Sequence, residues 1–207
     1  MKQIYQKKIN PNSYVYVWEV KYSLEELLTC TPVDSKKILN LSSIKKEKRK
    51  IEILAVNFIL RQLFKKDISL QYLASGKPFI NESTHLSISH SHGFIAIAIG
   101  DINVGIDIER PSEKLVKLSE RFLSKNEKTT FDLHPSKELA CKLWGSKESI
   151  LKCIGDKNID YREDINLNCS QLQIGFANGL SFRILHEEIA DMMLTVVMTS
   201  DDKQSIV

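Results

Sequence analysis

No apolar run in this sequence is long enough to cross a bilayer. The longest, at 94–99 and 192–198, are strand-sized. The opening residues, Met1-Lys2-Gln3-Ile4-Tyr5-Gln6-Lys7-Lys8, lack the apolar block of a signal peptide. The four cysteines, Cys30, Cys141, Cys153 and Cys169, include no close pair. That spacing argues against a zinc knuckle and against a disulfide framework. A reduced, cytoplasmic protein with no membrane partner is the expectation. A large excess of either charge is missing too: the formal net charge is +3 over 207 residues, too little for a general nucleic-acid coat. No aromatic-rich basic motif of the RNA-binding kind occurs, so no nucleic-acid partner is expected. A Walker phosphate loop is also missing.

What is present is the composition of a folded domain: 43% hydrophobic and 27% charged residues. The length suits one domain or two small ones and can bury a core without staples. A strand is expected at 14–20, and Ser23 offers an N-cap for a short helix. Ile44, Ile51, Leu54, Ala55, Phe58, Ile59 and Leu63 recur with helical period, which predicts a long helix over 43–66. Ser75-Gly76-Lys77-Pro78 reads as a turn. Strands are expected at 86–90 and 94–99, joined tightly by Ser91-His92-Gly93. A third follows at 104–110, stopped by Pro111. Helices are expected around Leu115, Leu118 and Phe122, from a cap at Ser124, and over 136–154. Strands at 182–185 and 193–198 end the pattern.

The order repeats: long helix, about 30 residues, then two strands around a polar turn. This predicts an α+β protein with two similar lobes, residues 1–101 and 102–207, and a ligand cleft between them.

Several residues can carry chemistry. Asp107 and Glu109 lie two apart on a strand, so both side chains take one face while Ile106 and Ile108 take the other. Paired carboxylates repel unless a cation or proton intervenes, and hard oxygens suit Mg²⁺. A solvated strand end reads the same way. Trp144, Glu148 and Lys152 form one helical stripe, which taken alone reads first as an ordinary surface ion pair. Gly145 in a helix interior calls for a packing or approach reason. His90 and His92 are expected on one strand face, either binding phosphate or forming a polar hairpin tip. Lys77 in its turn and the Lys45–Lys50 cluster are candidate anion contacts, or simply solvated positions.

Taken together, Gly76-Lys77-Pro78, Ile88-Ser89-His90-Ser91, Gly105-Ile106-Asp107-Ile108-Glu109, Arg121-Phe122-Leu123-Ser124-Lys125-Asn126-Glu127 and Trp144-Gly145-Ser146-Lys147-Glu148-Ser149-Ile150-Leu151-Lys152 resemble the 4′-phosphopantetheinyl transferases of the larger, surfactin-synthetase-activating type. The resemblance runs from about Lys48 to Gly155. It implies a pseudo-dimer of two α+β lobes with coenzyme A in the cleft. It implies transfer of phosphopantetheine from coenzyme A to a serine of an acyl or peptidyl carrier protein, releasing adenosine 3′,5′-bisphosphate. Carried over by motif position, Asp107, Glu109 and Glu148 hold Mg²⁺, with Mn²⁺ as the alternative. Either Glu148 or Glu127 is the base. Lys152 binds the pyrophosphate or protonates the leaving phosphate. Lys77 and His90, with Ser89 nearby, hold the 3′-phosphate end, joined by Arg49 or Lys48. A monomer is expected, since the second lobe supplies the partner surface. The stretch 156–160 departs from the Gly-Lys-Gly-Leu of well-known members. Two other readings remain open at this point: a metal-dependent phosphohydrolase using the same carboxylates, and a non-catalytic carrier-protein binder.

Overall fold

The computed structural model describes residues 1–30, 41–66, 68, 70–169 and 171–200. The last positions of the expected second lobe, 201–207, lie outside the described residues. The chain opens with β1 (Lys2–Asn10) and β2 (Ser13–Glu19), then α1 (Leu24–Cys30) and the long α2 (Glu47–Phe64). A small hairpin follows, β3 (Gln71–Tyr72) and β4 (Pro78–Phe79), then β5 (His85–Ser91), β6 (Phe94–Gly100) and β7 (Val104–Glu109). Next come α3 (Glu113–Phe122), α4 (Lys125–Phe131) and α5 (Lys137–Ile154). The chain closes with β8 (Ile165–Leu167), β9 (Ile174–Ala177), β10 (Leu180–Ile189) and β11 (Met192–Thr199). One sheet has the order β1-β2-β6-β5 and the other β7-β11-β10-β9-β8, with every neighbouring pair antiparallel. This is the expected mixed α+β architecture. No helix among the described residues is long and apolar enough to cross a membrane.

The layers follow from strand alternation. On β2 and β6, Val15, Val17, Ala96 and Ala98 face one way and pack with Val104, Ile106 and Ile108 of β7 and Leu194, Val196 and Met198 of β11. Their neighbours Trp18, Ile95 and Ile97 face the other way, onto Leu54, Ala55 and Ile59 of α2. On the far side of the second sheet, Met193, Val197 and Phe182 meet Leu143, Ile150 and Cys153 of α5. The order is therefore helix, sheet, sheet, helix, with three apolar layers between.

Helix α2 begins four residues later than its apolar period predicts. The amide of Ile44 closes a turn on the Leu41 carbonyl at 3.2 Å, and Lys46 is extended. A lysine-rich segment opposes the positive N-terminal end of a helix, which disfavours an earlier start. Phe58 stays half-buried outside the α2 core. Helices α4 and α5 start where their caps stand. Ser124 and Glu127 complete a capping box, and the Ser136 hydroxyl accepts the Leu139 amide at 3.0 Å. The expected turn at 91–93 is two residues long, His92 and Gly93, both with positive φ. Strands β1, β8 and β9 have no counterpart in the sequence pattern.

The two sheets meet along β5 and β7. The Ser87 hydroxyl accepts the Ile106 amide at 3.0 Å, and the Ser89 hydroxyl accepts the Ile108 amide at 3.2 Å. Serine side chains thus satisfy the buried edge of β7, where a strand would otherwise be needed. Two glycines allow α5 to dock on this seam. A Cβ on Gly105 would fall 1.8 Å from the Ser149 carbonyl oxygen, and one on Gly145 would fall 2.6 Å from Thr195 Oγ1. The approach reason expected for Gly145 is therefore present. Gly105→Ala is expected to destabilise the protein by about 1–3 kcal/mol through overpacking against backbone. Urea unfolding measures this, and an unchanged midpoint would contradict the close docking.

Candidate functional site

Strand β7 sends Ile106 and Ile108 into the inter-sheet core and presents Asp107 to α5, as the period of two predicts. Asp107 is buried. Its Oδ1 accepts from the Ser89 hydroxyl at 2.8 Å and from Lys152 Nζ at 2.8 Å. Lys152 also donates to the Ser89 hydroxyl and to the Ile106 carbonyl, both at 3.1 Å. One turn earlier on α5, Glu148 Oε1 accepts from the Tyr161 hydroxyl at 2.6 Å. The Tyr161 ring lies on Trp144, centroids 5.6 Å apart, and Trp144 meets Phe122 edge-on. At the end of β7, Glu109 Oε1 accepts from the Ser91 hydroxyl at 2.9 Å and from the Arg110 amide at 2.7 Å.

The electrostatics tie the three carboxylates together. Burial pushes the Glu148 carboxyl up. The Tyr161 hydrogen bond and the Lys152 charge pull it down, and the Asp107 and Glu109 carboxylates push it up again. Burial, then the hydrogen bond to Glu148, raises the Tyr161 phenol well above its usual value, so it donates. Among the described residues no three His, Cys, Asp or Glu side chains form a ready-made metal cage. The donor set nevertheless fits a hard divalent cation in kind. The hydrogen bonds just described use one oxygen of each carboxylate: Oδ1 of Asp107, Oε1 of Glu109 and Oε1 of Glu148. They leave the second oxygen of each, and a charge repulsion that a cation relieves.

Beside this cluster lies a cavity of about 510 Å³, walled by α2, the 75–78 turn, β5 and the end of α5. Arg49, Lys77, His90 and Lys152 line it. Arg49 Nη1 donates to His90 Nε2 at 2.8 Å, which selects Arg49 over Lys48 as the residue that reaches the cavity. Lys77 reaches across to the second half of the chain. Its ammonium donates to Asn103 Oδ1 at 2.7 Å and to the Cys153 carbonyl at 2.6 Å, near the C-terminal end of α5. Burial holds the Lys77 pKa below its usual value.

Other sequence candidates separate. Ser89 is not on the cavity wall; it belongs to the Asp107–Lys152 cluster behind it. The two histidines part. His90 turns to Arg49 and Glu52 of α2, whereas the left-handed backbone of His92 carries it to Ser91 and Glu109. Glu127 is the larger departure. Its side chain is 4% exposed, and its carboxylate is bound by Lys147 Nζ at 2.6 Å, the Ser124 amide at 2.8 Å and the Leu167 amide at 2.8 Å. These contacts tie the Glu127 carboxylate to Lys147 of α5, to its own N-cap and to Leu167 of β8. Lys147, completely buried, donates also to the carbonyls of Tyr161 at 2.5 Å and Ile165 at 2.8 Å. It thereby fixes the loop that carries Tyr161.

Sequence reasoning missed Tyr161, Glu52 and the role of Lys147. Lys147 had a signal, since it occupies a fixed place between Trp144 and Glu148. Glu52 had a weak one, three residues after Arg49 on the same helix. Tyr161 had none. Its partner is 13 residues away and on another element.

A family model for the 4′-phosphopantetheinyl transferase superfamily matches residues 103–194. The chain is 40% identical over 83 residues to the 4′-phosphopantetheinyl transferase gsp of Aneurinibacillus migulanus, covering 39% of this chain and 35% of that protein. It is 33% identical over 96 residues to the 4′-phosphopantetheinyl transferase Sfp of Bacillus subtilis (strain 168), covering 44% and 43%. It is 34% identical over 92 residues to the 4′-phosphopantetheinyl transferase psf-1 of Bacillus pumilus, covering 42% and 39%. The matched segment thus spans less than half the length of each relative.

Lys147→Met is expected to cost about 3–5 kcal/mol, because it strands a buried carboxylate. Lys147→Met combined with Glu127→Leu is expected to recover part of that loss. Chemical unfolding of the single and double variants checks the coupling; strictly additive losses would contradict it.

Proposed function

Because residues 103–194 carry the 4′-phosphopantetheinyl transferase superfamily match, we propose that this protein transfers the 4′-phosphopantetheine group of coenzyme A to a serine of an acyl or peptidyl carrier protein. Adenosine 3′,5′-bisphosphate is the second product. The observation that carries the reading is the position of Lys152. It lines the cavity and, with the same ammonium, holds Asp107 in the carboxylate cluster. A nucleotide in the cavity and a cation on the carboxylates would thereby be neighbours, which suits cleavage of a pyrophosphate.

In this reading the nucleotide lies toward Arg49 and His90, and its pyrophosphate toward Lys152. Asp107, Glu109 and Glu148 would hold Mg²⁺, or Mn²⁺ in its place. A cation held there would supply positive charge beside the pyrophosphate. The carrier serine oxygen attacks the β-phosphorus, and the bond from that phosphorus to the bridging oxygen breaks. The bridging oxygen leaves with the adenosine bisphosphate. Glu148, held by Tyr161, takes the serine proton directly or through one water. Lys152 steadies the departing phosphate. Glu127 has no part in this; its buried pairing supports a structural role, which leaves Glu148 as the base.

The two layers of sheet and helix support a pseudo-dimeric reading with lobes at 1–101 and 102–207 and the cavity between them. Walls drawn from both sides of residue 101 favour it. We take the protein to act as a monomer in the cytoplasm.

The test is the intact mass of an apo carrier protein incubated with this protein, coenzyme A and Mg²⁺. A gain of about 340 Da is expected, abolished by a chelator. Asp107→Asn and Glu148→Gln should each slow transfer by about 100-fold or more while circular dichroism stays unchanged. No mass gain with carriers from fatty-acid, polyketide and peptide synthesis would overturn the assignment. Full activity in either variant would overturn the roles given to these carboxylates.

A further inference from the structure

The polar end of the cavity contains a carboxylate among the groups that should receive an anion. Glu52, on the second turn of α2, lines the cavity with its side chain 15% exposed. Arg49 Nη1 donates to Glu52 Oε2 at 3.2 Å. His90 Nδ1 lies 3.2 Å from Glu52 Oε1, and His90 Nε2 faces Arg49 Nη1 at 2.8 Å. Arginine can only donate, so this network assigns the acceptor role to Nε2 and the proton to Nδ1. Arg49, His90 and Glu52 therefore close a ring. It holds one positive and one negative charge around a neutral imidazole. Burial favours that neutral form; Glu52 opposes the shift, and the Arg49 and Lys152 charges add to it.

The lysines on the same wall are also engaged. Lys77 donates to Asn103 and to the Cys153 carbonyl, Lys157 to the Ala74 carbonyl at 2.9 Å, and Lys152 to Asp107. Among the described residues, this end of the cavity holds no cation without an acceptor of its own. A phosphomonoester dianion entering it would meet the Glu52 carboxylate and a histidine nitrogen that has no proton to offer. A ribose hydroxyl would fare differently. It donates to a carboxylate, and an acidic side chain at the ribose end distinguishes a free hydroxyl from a phosphorylated one in dinucleotide-binding folds. Repulsion of the wrong ligand is as effective a source of selectivity as attraction of the right one.

We propose that Glu52 is a specificity-determining residue that fits this cavity to a coenzyme A-type nucleotide with a free 3′-hydroxyl, the 3′-dephospho form, at least as well as to the 3′-phosphorylated one. The assignment rests on the reading that coenzyme A occupies this cavity. It departs from that reading in the role of Arg49 and His90, which here serve to orient Glu52 as much as to meet the ligand.

Calorimetric titration with coenzyme A and with 3′-dephospho-coenzyme A tests it, on the full chain and on Glu52→Gln. The unmodified protein is expected to bind the dephospho form as tightly as coenzyme A or more tightly. Glu52→Gln removes the negative charge at constant shape and is expected to shift the ratio toward coenzyme A by about tenfold. Transfer from each donor, read by carrier mass, should follow the same order. Tighter binding of coenzyme A by more than about tenfold in the unmodified protein, with the same ratio in Glu52→Gln, would overturn the role of Glu52 and leave the transferase standing. Binding of neither nucleotide by the folded protein would overturn both. The unmodified protein's ratio needs no variant, so the test survives a Glu52→Gln protein that fails to fold.

Discussion

The ammonium of Lys152 holds the molecule together at its most demanding point. It donates to a side chain on β7, a hydroxyl on β5 and a backbone carbonyl on β7, and it stands on α5. Three elements from both halves of the chain therefore share one cation. A buried aspartate is costly without such a partner, and the partner is costly without the aspartate. The Ser89 hydroxyl completes the exchange: it donates to Asp107 and accepts the Ile108 amide. Removing any member leaves another buried polar group unsatisfied.

This junction is possible because backbones approach closely around it. Gly105 brings β7 against the Ser149 carbonyl, and Gly145 clears space beside Thr195 and Asp107. The apolar layers on either side make the junction dry enough to matter. Ile106 and Ile108 on one face and Cys153 and Ile150 on the other exclude water from all but its cavity side. Lys152 is the member that reaches that side, with its side chain 28% exposed. A polar joint that is structural on one side and open to ligand on the other is an economical way to place a cation site next to a nucleotide site. It also explains why a second buried ion pair, Glu127 with Lys147, lies one face round the same helix. There it fixes the loop from which Tyr161 reaches Glu148.

Much of this frame is legible in the residues alone. The alternation through Ile106, Asp107, Ile108 and Glu109 allows only one sorting of faces, and Gly145 announces a close approach because helices rarely keep glycine without one. Ser124 and Glu127 declare a capping box by spacing. The same spacing says nothing of what surrounds the Glu127 carboxylate: Lys147 and the Leu167 amide, which bind it, come from other elements. The histidine pair fails for a local reason, since a left-handed residue in the turn breaks the alternation on which a shared face depends. Strand β1 carries polar and charged residues on an edge with an exposed face, so it leaves no hydrophobic signature. Tyr161 and the ring of Arg49, Glu52 and His90 depend on contacts between distant elements. Only the Arg49–Glu52 spacing, three residues along α2, lies within one element; no local period or motif encodes the other contacts.

Fold and site thus depend on the same cation. Lys152→Met, examined in one preparation by urea unfolding and by calorimetric titration with coenzyme A, tests this most directly. The expected result is a loss of about 1–3 kcal/mol in stability, from the stranded Asp107 carboxylate, together with at least a tenfold weakening of coenzyme A binding. An unchanged unfolding midpoint, or unimpaired binding in the folded variant, would contradict it.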